Sequence, residues 1–153
     1  MAKSIGDICQ RTVVTIREYE DLTAAAQRMR EEHVGYLVVA EPQVLDQTLK
    51  PVGVITDRDI VIAVVAKEVD PRTLKVGDVM TRQPVVASED SSVSAALQEM
   101  RRIGVRRLPV IGRRGELLGV VSIDDLLETF AEELANIAGL IRNERRFERA
   151  FRP

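Results

Sequence analysis

The stretch Gly53-Val54-Ile55-Thr56-Asp57-Arg58-Asp59 recurs as Gly119-Val120-Val121-Ser122-Ile123-Asp124-Asp125. Each copy reads as the end of an apolar strand that turns directly into a helix. A hydroxyl residue closes the strand, Thr56 or Ser122, and a carboxylate follows three positions later, Asp59 or Asp125. Ser and Thr are favoured helix N-caps, and an acid at the third helical position makes the start resemble a capping box. Two readings follow from these residue types. One is a well-capped helix used twice. The other is a pair of ribose-binding corners: a carboxylate accepts from both vicinal hydroxyls of a ribose, while first-turn amides and the positive end of the helix dipole favour a nearby phosphate.

Outward from these corners the chain is a duplication. Residues 5–40 align with residues 76–111 at a constant offset of 71, without a gap. Gly6 matches Gly77, Asp7 matches Asp78, Glu18 matches Glu89, Met29-Arg30 matches Met100-Arg101 and Val34 matches Val105. At the quoted stretch the offset is 66, so the first repeat carries five extra residues between its middle strands. In each repeat a short β-branched run (13–16 in the first) precedes a helix with apolar residues at Leu22, Ala25, Ala26 and Met29. A buried strand over 34–40, a polar loop over 42–50, a strand over 52–56 and a helix over 57–67 complete the unit, and Val69-Asp70-Pro71 breaks it. One supersecondary unit used twice buries an apolar face that a single unit leaves open. The expected fold is α/β (α+β): two βαββα units packed through their sheets about a pseudo-two-fold axis. The first repeat spans 4–70, the second 75–131, and an amphipathic helical tail 132–153.

Composition bounds the function. The chain has 153 residues, 45% hydrophobic and 30% charged, as in globular domains. Aromatics are 3% and Trp is absent, so the core is aliphatic. A formal net charge of -2 gives no overall electrostatic case for nucleic acid or membrane. Cys9 is the only cysteine, which excludes an internal disulfide and a cysteine-rich metal site and fits a small core residue. His33 is the only histidine and lies at a helix end with no organised partner for a general-base role. The sequence displays no nucleophile–base pair and no metal-ligand cluster, so no enzyme is expected. No signal peptide and no bilayer-length apolar run is read, and a cytoplasmic location is expected.

The ordered motifs resemble the cystathionine-β-synthase (CBS) domain pair, or Bateman module. They are Ile5-Gly6-Asp7-Ile8, Val34-Gly35-Tyr36-Leu37-Val38-Val39 and the first quoted stretch, then Val76-Gly77-Asp78-Val79-Met80, Gly104-Val105-Arg106-Arg107-Leu108-Pro109-Val110 and the second. The resemblance implies a regulatory module that binds an adenosine-containing ligand in two symmetry-related clefts, each drawing on both repeats. Carried over, one cleft takes ribose contacts from Thr56 and Asp59, with adenine near Val85, Val86, Val105 and Arg106. The other takes ribose contacts from Ser122 and Asp125, with adenine near Val14, Thr15, Gly35 and Tyr36. Arg58, Arg106 and Arg107 favour phosphate in the first cleft. Asp124 stands at the position of Arg58 in the second and disfavours it. Tyr36 either stacks on a purine or is a buried strand tyrosine; Arg106 and Arg107 alternatively form a solvated edge or salt bridges.

The resemblance leaves open which of AMP, ADP, ATP, NAD or S-adenosylmethionine binds and which protein is regulated. The alternatives are a structural interaction module with empty clefts and an enzyme using an NAD-like cofactor. A homodimer is expected through the apolar helices over 60–65 and 126–134. In the tail, Leu134, Ile137, Leu140, Ile141, Phe147 and Phe151 form an apolar stripe among Arg142, Arg145, Arg146, Arg149 and Arg152. That pattern fits a helix packed on its own domain or on a dimer partner; a docking element for another protein comes next, and nucleic acid is the least favoured.

Overall fold

The computed structural model describes residues 3–151; Arg152 and Pro153 of the expected tail lie outside the described residues. It is a mixed α+β fold with two sheets, one per repeat. In the first, β1 (Thr15–Ile16) runs parallel to β2 (Tyr36–Pro42), which pairs antiparallel with β3 (Leu49–Thr56). In the second, β5 (Ala87–Ser88) runs parallel to β6 (Arg107–Ile111), which pairs antiparallel with β7 (Leu117–Ser122). The helices α2 (Leu22–Glu31) and α5 (Val93–Ile103) start where the sequence offers caps. Asp21 accepts the Ala24 N–H at 2.8 Å and the Ser92 hydroxyl accepts the Ala95 N–H at 3.1 Å.

The leading segments are exchanged between the repeats. The short helix α1 (Ile5–Ile8) packs in the core of the second repeat. There Ile5 and Cys9 join Ala87, Ala96, Met100, Leu108, Val110, Val121 and Leu126. Its counterpart α4 (Val76–Val79) puts Val76 and Met80 among Ile16, Leu22, Ala25, Met29, Leu37, Val39 and Ile55 of the first. Backbone bonds repeat the exchange: Gly6 N–H donates to Glu89 O and Gly77 N–H to Glu18 O. Strand β4 (Thr81–Arg82) then pairs with β3, and Gln10 bridges Val120 on β7. Two glycines permit these crossings. A Cβ on Gly53 would stand 3.0 Å from Thr81 O, and one on Gly119 2.6 Å from Gln10 O. Cys9 is the expected small core residue, 8% exposed, and desolvation pushes its thiol up.

Two elements depart from expectation. The helix expected over 57–67 is one α turn, α3 (Asp57–Ile60), widening into a π turn over Val61–Val65. That turn keeps Ile60, Ala63 and Val64 on the core and leaves Val61, Ile62 and Val65 outside. The tail is helical as expected, but of its two expected packings, on its own domain or on a dimer partner, the first is not seen among the described residues. It continues α6 (Ile123–Phe151) for 29 residues without a break, about 43 Å long. Only Leu126 and Thr129 of α6 are buried, because no Pro interrupts the helix and a straight rod leaves the globular body.

A candidate nucleotide-binding pair of clefts

Both quoted corners form. Thr56, extended at the end of β3, accepts the Asp59 N–H through its hydroxyl at 3.2 Å and donates to Asp59 Oδ2 at 2.9 Å. The Thr56 N–H donates to the same Oδ2 at 2.8 Å. Ser122 and Asp125 repeat this arrangement at 3.2, 2.7 and 2.7 Å. The capped-helix reading therefore holds at both sites, and one oxygen of each carboxylate serves the cap. The second oxygens differ. Asp125 Oδ1 accepts from Gln10 Nε2 at 3.0 Å, whereas Asp59 Oδ1 has no hydrogen-bond donor among the described residues.

The first corner opens on a cleft of about 670 Å³ between the repeats. Thr56, Arg58, Asp59, Val85, Val105, Arg106 and Arg107 line it as expected; Val86 does not. Arg58, Arg106 and Arg107 form no ion pair among the described residues, so the salt-bridge alternative for Arg106 and Arg107 is not realised there. Asp57, Gln83 and Pro84 also line the cleft and were not singled out from the sequence. Asp57 sets a carboxylate next to Arg58, and its Oδ1 accepts the Arg58 N–H at 2.8 Å.

The second corner opens on a smaller cleft of about 290 Å³. Val14, Gly35, Tyr36, Ser122 and Asp125 line it; Thr15 does not, and neither does Asp124, so the acid expected to repel phosphate here stands outside the wall. Thr15 and Val86 are equivalents under the offset of 71, and both fail for one reason. The lining segments run from Thr12 to Val14 and from Gln83 to Val85, and Thr15 and Val86 each fall one residue past the end. Gln10, Thr12 and His33 join the wall. His33 sits in the left-handed region at φ 54°, where the second repeat has Gly104 at φ 71°. That pairing was readable from the alignment, since Gly104 falls 71 residues on.

Gly35, Tyr36 and Arg107 line both clefts. Tyr36 and Arg107 are themselves equivalents at the offset of 71 and meet across the pseudo-two-fold. The Arg107 guanidinium lies 5.9 Å from the Tyr36 ring centroid, a cation–π contact. The Tyr36 hydroxyl is buried and has no hydrogen-bond partner among the described residues. Burial pushes this phenol above its ordinary value, against the opposing charge of Arg107. Tyr36 is thus the common wall of two clefts, neither sealed in a core nor confined to the second cleft.

Among the described residues no group of three or more His, Cys, Asp or Glu is placed to hold a metal ion, and no helix is long and apolar enough to cross a membrane. The CBS domain pattern matches this chain over residues 5–66 and 76–132. A protein of Methanopyrus kandleri is 33% identical over 125 residues, 82% of this chain; the chain spans 61% of that relative's length. Hypoxic response protein 1 of Mycobacterium tuberculosis is 36% identical over 126 residues, 82% of this chain and 84% of its own. The crystal structure of Hypoxic Response Protein I, with two coordinated zinc ions, superposes with a TM-score of 0.69 over 82% of this chain and 98% of that one, at 35% identity. A hexameric CBS-CP12 protein from bloom-forming cyanobacteria gives a TM-score of 0.73 at 29% identity, over 98% of this chain and 84% of that one. A CBS domain pair solved with 5′-methylthioadenosine and S-adenosyl-L-methionine gives 0.72 over 87% of this chain and 99% of that one; at 22% identity this likeness speaks for the fold. Two matched repeats, and the same fold throughout these neighbours, make the chain a member of the CBS domain family, carrying two CBS domains in tandem.

Proposed function

We propose that the protein is a regulatory sensor that binds an adenosine-containing ligand of the AMP, ADP or ATP type between its two CBS domains, without catalysing a reaction on it. The observation that carries this reading is the first cleft. Its volume of about 670 Å³ is in the range of small-molecule sites. It combines an apolar wall at Val85 and Val105, a carboxylate oxygen of Asp59 with no donor among the described residues, and three arginines outside any ion pair among those residues. Those are partners for a base, a ribose and a phosphate. The adenosine compounds bound by the neighbouring CBS pair support the ligand class, and S-adenosylmethionine and NAD remain members of it. The cleft is lined by both repeats, so a ligand that fills it stabilises one arrangement of them and shifts the population a regulated partner meets.

The test is a thermal-shift titration of the purified protein with AMP, ADP, ATP, NAD and S-adenosylmethionine. Binding to the native state alone stabilises it by about 2.7 kcal/mol at one hundred times Kd. Absence of any shift at millimolar concentrations, with mass spectrometry showing no co-purified nucleotide, overturns the reading in favour of a structural interaction module. That second reading is favoured by the exposed Val61, Ile62, Val65, Leu127 and Leu134, which also support a homodimer through the helices over 60–65 and 126–134. Two-fold pairing is the commonest way to cover such faces.

A further inference from the structure

Beyond Thr129 the helix α6 has no buried residue. Its root is tied by an ion pair between Lys3 and Glu132. The remainder stands in solvent with Leu134, Ile137, Leu140, Ile141, Phe147 and Phe151 all exposed. Most helical stability in proteins comes from packing of an amphipathic face, so an exposed apolar stripe of this kind calls for a cover. The spacing says what shape of cover. Leu127, Phe130, Leu134, Ile137 and Ile141 follow one another at alternating steps of three and four, the seam of a helix pair. Glu144, Glu148 and Phe151 continue the same seam.

The charges say which partner and in which direction. The first third of α6 carries Asp124, Asp125, Glu128, Glu132 and Glu133 and no basic residue. Its end carries Arg142, Arg145, Arg146 and Arg149 against only Glu144 and Glu148. A parallel copy would lay acid on acid and base on base, and would set Glu144 and Glu148 against themselves across the seam. An antiparallel copy lays each acidic start along a basic end while the apolar centre meets itself. We propose that α6 pairs antiparallel with α6 of a second copy of this chain, through the seam from Leu127 to Ile141. This rests on the homodimer reading above and adds its contact and direction.

Spin-label distances on the full-length protein test it. Ala135 and Ala150 lie off the seam, so Ala135→Cys and Ala150→Cys carry labels without disturbing the pairing. Cys9 stays in place, because it is buried and its thiol is pushed up, and the unsubstituted chain is the labelling control. The expected result is a label separation of about 20 Å at position 135, near the crossing, and about 50 Å at position 150. A separation of about 20 Å at both positions means parallel pairing and overturns the proposal. So does the absence of the short separation at 135, including the case of a monomer that instead partitions onto anionic vesicles. Ile137→Asp with Ile141→Asp changes only exposed residues. It is expected to abolish the short separation and weaken self-association about a hundredfold or more, with the circular dichroism and the nucleotide-induced thermal shift unchanged. A retained short separation in this variant also refutes the seam. Loss of the nucleotide response in the native chain would refute the sensor reading and leave these distances untouched.

Discussion

On the proposed reading, replacing Arg58 by Ala is expected to separate phosphate recognition from nucleoside recognition in the first cleft. Arg58 lines that cleft, forms no ion pair among the described residues, and follows Thr56 at the start of α3. Its removal therefore breaks no internal bridge and leaves Asp57 and Asp59 as uncompensated negative charge near the phosphate position. A hydrogen bond to a charged group contributes about 1.5–3 kcal/mol. Arg58 is exposed, so solvent screening puts the expected loss at the low end, about 1.5 kcal/mol. That is about tenfold in affinity for AMP or ATP. Adenosine has no phosphate, and its affinity is expected to stay unchanged. Isothermal calorimetry with AMP and adenosine, on the native chain and on Arg58→Ala, Asp59→Ala and Asp125→Ala, gives the comparison. The tighter event should disappear with Asp59→Ala and survive Asp125→Ala, because Asp125 already satisfies Gln10 and its cleft is less than half as large. An equal loss for adenosine and AMP in Arg58→Ala refutes the phosphate role. A tighter event removed by Asp125→Ala and kept in Asp59→Ala shows that the clefts are assigned the wrong way round.

Further outcomes follow from the fold. Gly119→Ala should cost more stability than Gly53→Ala in urea denaturation. The new methyl meets the Gln10 carbonyl at 2.6 Å in the first case, and in the second a backbone carbonyl only at 3.0 Å, with the nearer contact a methionine side chain that can change rotamer. About 1–3 kcal/mol is expected for Gly119→Ala. Glu68→Gly should stabilise by about 0.5–1 kcal/mol, since Glu68 is exposed at φ 54° and a left-handed conformation costs a non-glycine residue; a lower melting temperature would contradict this. Burial works to raise the Glu20 carboxyl, but its paired bonds from Arg28 and the bond from Arg17 N–H outweigh burial and hold it below its ordinary value. The stability Glu20 contributes is present above its unfolded value of about 4.3 and is lost as pH falls through the lower folded value. Glu20→Gln should flatten the fall in melting temperature between about pH 5 and pH 3.

The duplication and the cap residues were legible because they depend on local order, whereas the residues across the first cleft came from the family resemblance. A hydroxyl, a carboxylate three positions on and an apolar strand before them look the same in sequence and in space. The exchange of α1 and α4 was not legible in that way. Ile5-Gly6-Asp7-Ile8 presents the same apolar face to either sheet, and only the close approaches at Gly53 and Gly119 mark where a foreign segment crosses. Thr15 and Val86 were misplaced because a resemblance hands over a neighbourhood of residues, while the lining segments stop one residue short, at Val14 and Val85. Asp57 lay inside the quoted stretch but was given no role, because the cap pattern rests on Thr56 and Asp59. The apolar stripe of the tail was visible; that it leaves the body depends on a negative, a run from Ile123 to Phe151 with no proline to turn it.

The exchanged leading segments also limit how the molecule can move. Drawing the two repeats apart like jaws would pull Ile5 out of one core and Val76 out of the other, and would strip β4 from β3. Two straps crossed in this fashion resist opening and tolerate a screw-like twist about the axis that runs between Tyr36 and Arg107. A rotation too small to part the straps grows with distance from that axis. At the far end of α6, a rigid rod about 43 Å long, a few degrees become a displacement of ångströms. Whatever small rotation the straps allow is therefore felt most at the end of α6, farthest from the wall that the two clefts share.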